Sequence, residues 1–304
     1  MFNNLENMLT NNFEKILLEE AINNLNSNSK IRFSNFAFVI RELIDIVLTR
    51  LAKDEDITNC SWYELPQNIE RNVIRAQRIR YIIQGGFEEN IFDLMLNIDF
   101  TNKISEINKY FRDELSNNVH LTERCINYSH DEIEEKTKIF EEIIEKFVSM
   151  INNVRQQILN FLSDEIELVV NESFLSVTLS DLDILSTHTR IDCVDNIEID
   201  INLITPEKII GFITGNVNVF LQYGSDRDVR EGLGDISNDS YPFELPFTID
   251  IEPLNDLFNE LNQEEKENFD YITEVFMPEF RNTMFENLDI NINQVRINTD
   301  SFYE

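Results

Sequence analysis

The stretch Ile197-Glu198-Ile199-Asp200-Ile201-Asn202-Leu203 alternates apolar and polar residues at every step. A period of two places its four apolar side chains on one face, as in an antiparallel strand with one buried side. The alternation returns in Val217, Val219, Leu221 and Tyr223, in Phe243, Leu245, Phe247, Ile249 and Ile251, and in Leu288, Ile290 and Ile292. Thr205-Pro206-Glu207-Lys208 supplies a turn between the first two runs, and a helical insertion is expected near 262–276. Residues 183–304 are therefore predicted to form an antiparallel β-rich, sandwich-like module.

Working back towards the N-terminus, the period lengthens to between three and four. Phe140, Ile143, Ile144, Phe147, Ile151, Val154, Ile158 and Phe161 hold that spacing in a span free of Gly and Pro, so one long helix is predicted over 131–180. Residues 5–25 read as an amphipathic helix. Ile31 to Leu51 is apolar on most sides, which marks a central helix. Pro66 suits the first turn of a further helix running to Gln84, where Gly85-Gly86 stops it. Shorter helices are expected near 88–97 and 101–116. The fold class is α+β: a large all-α domain over 1–182 with a long helix, then a smaller β-rich domain.

Composition narrows the function. Twenty-three Phe residues and 42% hydrophobic content can fill two cores, and only 7 Gly and 6 Pro argue against a loop-dominated chain. No apolar run reaches spanning length, and the opening residues Met1 to Glu6 lack a leader's basic and apolar blocks, so neither a membrane segment nor a signal peptide is expected. Cys60, Cys125 and Cys193 are odd in number and widely spaced, which suggests free thiols and a cytoplasmic setting. The net charge of −32 is unevenly spread: −9 over residues 1–150 and −23 over 151–304. Such a field opposes generic nucleic-acid coating, aids solubility and suits a basic protein partner of the second module.

Against that background Arg71, Arg75, Arg78 and Arg80 stand out within ten residues. On a helix running from Pro66, Arg71, Arg75 and Arg78 would stack along one face. Either Glu42, Asp45 and other helical acids neutralise them, or they form a phosphate-binding face. The three histidines, His120, His130 and His188, are each candidates for acid–base work or for structural duty. Arg124 and His130 match the R-x5-H spacing of HEPN-type ribonucleases, although Asn127-Tyr128-Ser129 between them reads as a loop. No Cys-x-x-Cys, His-x-x-x-His, His-Glu-x-x-His, Gly-rich phosphate loop or serine elbow occurs, so no cofactor and no zinc site is expected, while among 57 acids no particular carboxylate pair is singled out for a divalent metal. The acidic run Asp226 to Asp239 lacks the spacing of a calcium hand and reads as a hairpin loop.

Several strings together resemble the predicted PIWI-associating nuclease family, bacterial proteins of conflict with phages and plasmids. They are Asn35-Phe36-Ala37-Phe38, Arg41-Glu42-Leu43, Trp62, and Arg75-Ala76-Gln77-Arg78 through Gln84-Gly85-Gly86. In the second half come Thr187-His188, Val217-Asn218-Val219-Phe220-Leu221-Gln222-Tyr223-Gly224-Ser225 and Asp239-Ser240-Tyr241-Pro242-Phe243. Asn118-Val119-His120 stands where the family usually has a Thr-His pair. The resemblance implies nuclease activity in the helical domain, with an RNA or DNA substrate and a partner protein of a defence complex. Read with the arginine cluster, it makes His120 the general acid or base, with Arg75 and Arg78 on the scissile phosphate. Arg71, Arg80, Arg41, Glu42, Tyr81 and Gln84 would then bind and orient the substrate. The β-rich module would serve docking or oligomerisation. A non-catalytic scaffold, or an acidic mimic of nucleic acid, is the competing reading.

Overall fold

Apolar periodicity becomes structure in two compact units, Met1–Arg155 and Gln156–Glu304. The structure is a computed structural model that describes residues 2–67, 71–88, 91–96, 100–120 and 122–300. The secondary structure changes from helix to strand between Asp183 and His188, close to where the period shortens in the sequence. Packing divides the chain earlier, inside the long helix. No described helix is long and apolar enough to cross a membrane.

The first unit holds α1 (Asn3–Met8), α2 (Asn12–Asn26), α3 (Arg32–Leu51), α4 (Asp54–Thr58), α5 (Arg75–Gln84), α6 (Ile91–Leu96) and α7 (Phe100–Lys109). A π-helical turn, Tyr110–Glu114, joins α7 to α8 (Leu115–Val119); α9 (Glu123–Ile126) follows, and α10 (His130–Leu175) then begins. The amphipathic stretch expected as one helix over 5–25 is two. Asn11, in extended conformation, accepts from the Glu14 N–H at 2.9 Å and restarts the chain as α2. The second break is larger. The expected helix from Pro66 begins only at Arg75, because Tyr63 donates to the Asn72 carbonyl (2.7 Å) and Val73 is buried.

Helix α3 is the centre of this unit, as its all-round greasiness predicts: Phe33, Phe36, Ala37, Ile40, Leu43, Ile44, Val47 and Leu48 are all buried. Helix α2 packs along it with Glu14 fully buried. Burial alone would raise that carboxyl. Hydrogen bonds from Arg50 (2.6 Å) and the Thr10 N–H (3.1 Å), with the Arg50 charge, hold it below its ordinary range.

In the second unit, short α11 (Ser180–Asp183) precedes β1 (His188–Ile204) and β2 (Lys208–Tyr223). The expected acidic hairpin loop is in part helical, α12 (Asp226–Arg230), capped by Ser225, before β3 (Asp235–Asp250). A helical insertion larger than expected, α13 (Glu252–Glu260), α14 (Gln263–Glu267), α15 (Phe269–Tyr271), a π turn Ile272–Phe276 and α16 (Met277–Glu286), leads to β4 (Leu288–Ile290) and β5 (Arg296–Ile297). Among the described residues the strands make one antiparallel sheet, ordered β1-β2-β3-β4 with β5 also on β3. The layer over its apolar face is helical, where a sandwich would carry a second sheet. Phe174 of α10 packs on Phe243 of β3 with tilted rings (4.7 Å between centroids), and Phe161 of α10 meets Phe280 of α16 (5.6 Å).

Two glycines let that layer close. Gly211 lies opposite Phe247 and Gly215 opposite Phe243, so each phenyl ring covers bare backbone. A Cβ at Gly211 would stand 2.3 Å from the Asp200 carbonyl oxygen and 2.5 Å from the Phe247 ring. Gly211→Ala is expected to cost about 1–3 kcal/mol by overpacking. Urea denaturation checks this, and an unchanged midpoint would contradict the packing described.

Candidate functional site

Helix α5 carries the arginines that the sequence singles out, and each reaches a different neighbour. Arg75 donates from Nε and Nη2 to the two carboxylate oxygens of Asp45 on α3 (2.9 and 2.8 Å). Its Nη1 donates to the Phe111 carbonyl (2.9 Å), inside the π turn, where the ordinary helical acceptor pattern is interrupted. Arg78 donates to the Ala52 carbonyl and to the Asp54 carboxylate at the start of α4. Arg80 lies over the Trp62 ring with its guanidinium carbon 4.2 Å from the ring centroid. Arg71 precedes the helix, is exposed and does not share its face. The three-arginine stack anticipated from spacing therefore does not form, because Ile74 is extended (φ −108°, ψ 162°).

The rest of the motif locks α5 in place. Gln77 accepts from the Ile74 N–H (3.0 Å) and donates to the Glu64 carbonyl (2.7 Å), closing the helix N-terminus. At the other end Gly85 takes φ 59°, and its carbonyl accepts from the Trp62 indole N–H (2.8 Å). Gln84 is buried and donates to the Phe87 carbonyl (2.7 Å). Tyr81 is buried with Ala52, Ile57, Cys60, Trp62 and Val73. Tyr81 and Gln84 can thus shape a site only by positioning α5. Arg41 pairs with its neighbour Glu42 (2.7 Å) on α3, one turn before Asp45.

The cluster under α5 also contains a thiol. Burial pushes Cys60 up to about 12, Arg80 opposes the rise and Asp56 adds to it. Burial raises the Tyr81 phenol above its ordinary range too, with Asp56 and Cys60 contributing. At neutral pH both are protonated and neither is a nucleophile.

His120 is exposed just beyond α8. His120 lies nine residues beyond Phe111, whose carbonyl Arg75 grips. Two residues before His120, Asn118 is buried and accepts from the Tyr128 hydroxyl (2.8 Å). His130 opens α10, two residues beyond Tyr128, so the same bond ties the segments bearing both histidines. His188 starts β1 in the other unit. Arg124 belongs by its backbone to α9; its side chain, like that of Cys125, lies outside the described residues. Among the described residues no three His, Cys, Asp or Glu side chains converge as a metal site.

A further constellation escaped the sequence reading. Arg32, at the start of α3, reaches His130 with Nη2 3.4 Å from Nδ1. Ninety-eight residues separate the two, and no local spacing joins them.

Two profiles described as predicted pPIWI-associating nuclease match this chain, one over residues 6–163 and the other over 151–268. The chain belongs to the predicted pPIWI-associating nuclease family. No curated protein and no solved structure matches it.

Two outcomes follow from this packing. Arg75→Ala is expected to cost about 1.5–3 kcal/mol in urea denaturation, since it removes charge-assisted bonds to two elements. Arg75→Lys should recover only part, because an ammonium cannot span Asp45 and Phe111 as the fork does. Additivity of Arg75→Ala with Asp45→Asn would contradict the coupling. As for pH, the raised Cys60 means that the folded state keeps a proton the unfolded chain loses. Stability is then complete below the unfolded thiol's 9.0 and falls as pH rises towards 12. Cys60→Ala should flatten the melting-temperature profile across that window.

Proposed function

We propose that this chain is the nuclease component of a bacterial antiphage or anti-plasmid defence system, and that its helical unit cleaves RNA. The family match over both halves of the chain carries the reading. His120, exposed at the end of α8, acts as the general base: it takes the proton of a 2′-hydroxyl, whose oxygen attacks the adjacent phosphorus. The bond to the 5′-oxygen breaks and that oxygen takes a proton from water, leaving a 2′,3′-cyclic phosphate and a 5′-hydroxyl. This route needs no metal. HEPN-like chemistry at the Arg124–His130 loop would be a variant of the same reaction.

Arg75 and Arg78 enter this scheme as phosphate ligands only by exchanging carboxylates. Asp45 and Asp54 are 44% and 59% exposed, so a phosphate can reach the guanidinium groups and compete with these carboxylates for them. Arg71 and Arg80 would flank the strand, and Arg41 with Glu42 would orient it, while Tyr81 and Gln84 hold α5. The acidic second unit docks a basic protein of the same system.

One observation favours a second reading, a non-catalytic scaffolding subunit: Arg75 and Arg78 are each already held by a carboxylate and a carbonyl. Its acidic module would then bind the partner, or mimic nucleic acid towards a DNA-binding enzyme. Incubating purified protein with RNA and with single- and double-stranded DNA, with and without chelator, separates the two. Nuclease function predicts RNA cleavage that falls about a hundredfold or more in His120→Ala at an unchanged melting temperature. Full activity in Arg75→Ala, Arg78→Ala and His120→Ala would sink the site assignment, and no cleavage of any substrate leaves the scaffold.

A further inference from the structure

Between the end of α2 and the first turns of α10 the helical unit encloses a cleft of about 580 Å³. That is within the range of small-molecule sites. Leu25 and the buried Ile133 give it apolar lining, and Arg32, His130, Glu134 and Lys138 give it polar and charged lining. Two other acids nearby are already engaged. Glu141 accepts from the Phe2 N–H (2.9 Å), and Glu132 accepts from the Ser129 N–H (2.8 Å).

Arg32 is the unusual member. Arg41, Arg50, Arg75, Arg78 and Arg112 each reach a carboxylate, as a protein of net charge −32 makes easy. Among the described residues no carboxylate pairs with Arg32, and its hydrogen bond goes to an imidazole. A guanidinium only donates, so that bond needs Nδ1 as acceptor and leaves the ring proton on Nε2. Two donor groups, the fork of Arg32 and Nε2–H of His130, therefore stand together at the cleft. Lys138 adds a second cation to the lining, paired only loosely with exposed Glu142 at 3.8 Å.

We propose that this cleft binds a ribonucleotide, with its phosphate on Arg32 and His130, its base against Leu25 and Ile133, and its sugar hydroxyls donating to Glu134. The choice of a nucleotide over another phosphate ester rests on the nuclease reading; the anion site does not. A free mononucleotide and one residue of an RNA strand offer the same chemistry.

Calorimetry on the full chain tests this with adenosine 5′-monophosphate, adenosine, inorganic phosphate and a riboadenylate hexamer. The monophosphate or the hexamer should bind more tightly than adenosine or phosphate. Arg32→Ala should weaken that binding about tenfold or more, the loss expected for a charge-assisted phosphate contact. Lys138→Ala, at an exposed position, should weaken it less and serves as a variant that folds. Because the chain has three histidines, proton NMR follows each ring, and the His130 signal, identified with His130→Gln, should move on titration. Binding by the hexamer alone assigns the cleft to a strand, and binding by the monophosphate assigns it to a free nucleotide as well. Affinity unchanged in Arg32→Ala, or a His130 signal unmoved by either ligand at millimolar concentration, overturns the proposal. Arg32-dependent binding without RNA cleavage would overturn the nuclease reading and leave the nucleotide site standing.

Discussion

The guanidinium of Arg75 is where the helical unit is pinned. One planar group satisfies both oxygens of Asp45 on α3 and the Phe111 carbonyl in the π turn, so α3, α5 and the α7–α8 rod share a fixed point. The π turn needs such a partner, since a bulged turn displaces carbonyls from their helical donors. A lysine could meet one acceptor group but not span both with directed bonds. Around that point the remainder of the motif follows: Gln77 closes one end of α5, Gly85 the other, and Trp62 lies beneath Arg80. A string of residues that reads as chemistry is thus, in large part, the means by which a short helix is held on a greasy neighbour.

Cations are scarce here, and their distribution carries information for that reason. Most arginines of the helical unit whose contacts are described are matched to acids, and the buried Glu14–Arg50 pair shows how far this goes: a carboxylate with no exposure is kept charged by three hydrogen bonds. Burial of an unpaired charge costs several kcal/mol or more, so such pairing is a requirement of folding. Arg32, which borders a cleft and leans on an imidazole, departs from the pattern. The second unit separates its charge differently, with apolar side chains on the helix-covered face of the sheet and acids such as Glu198, Asp200, Glu244 and Asp250 towards solvent.

Much of the fold was legible in advance because it rests on periodicity. The alternation at Ile197–Leu203, the all-round apolar α3 and the Gly-free run through Phe140–Phe161 each dictate one kind of element whatever surrounds them. What failed to read were places where one residue's tertiary bond outweighed a local pattern. Asn11 cuts the first helix, and the Tyr63–Asn72 bond with buried Val73 delays α5 past Arg71. For the candidate site, the arginines were visible by their density and Asp45 was among the acids expected to meet them, but Asp54 and the carbonyls of Ala52 and Phe111 carry no signature in a chain with 57 acids.

By itself, then, the sequence determined the α+β class, the order of helices and strands, the central place of α3 and the family. Those follow from side-chain period and from short strings, both of which are local. Only the tertiary structure decided that one sheet is backed by helices, that Arg75 and Arg78 are bound by acids, and that Arg32 meets His130. The reason is physical: an ion pair or a cleft depends on where distant segments cross, and the free energy that sets those crossings is summed over the whole core.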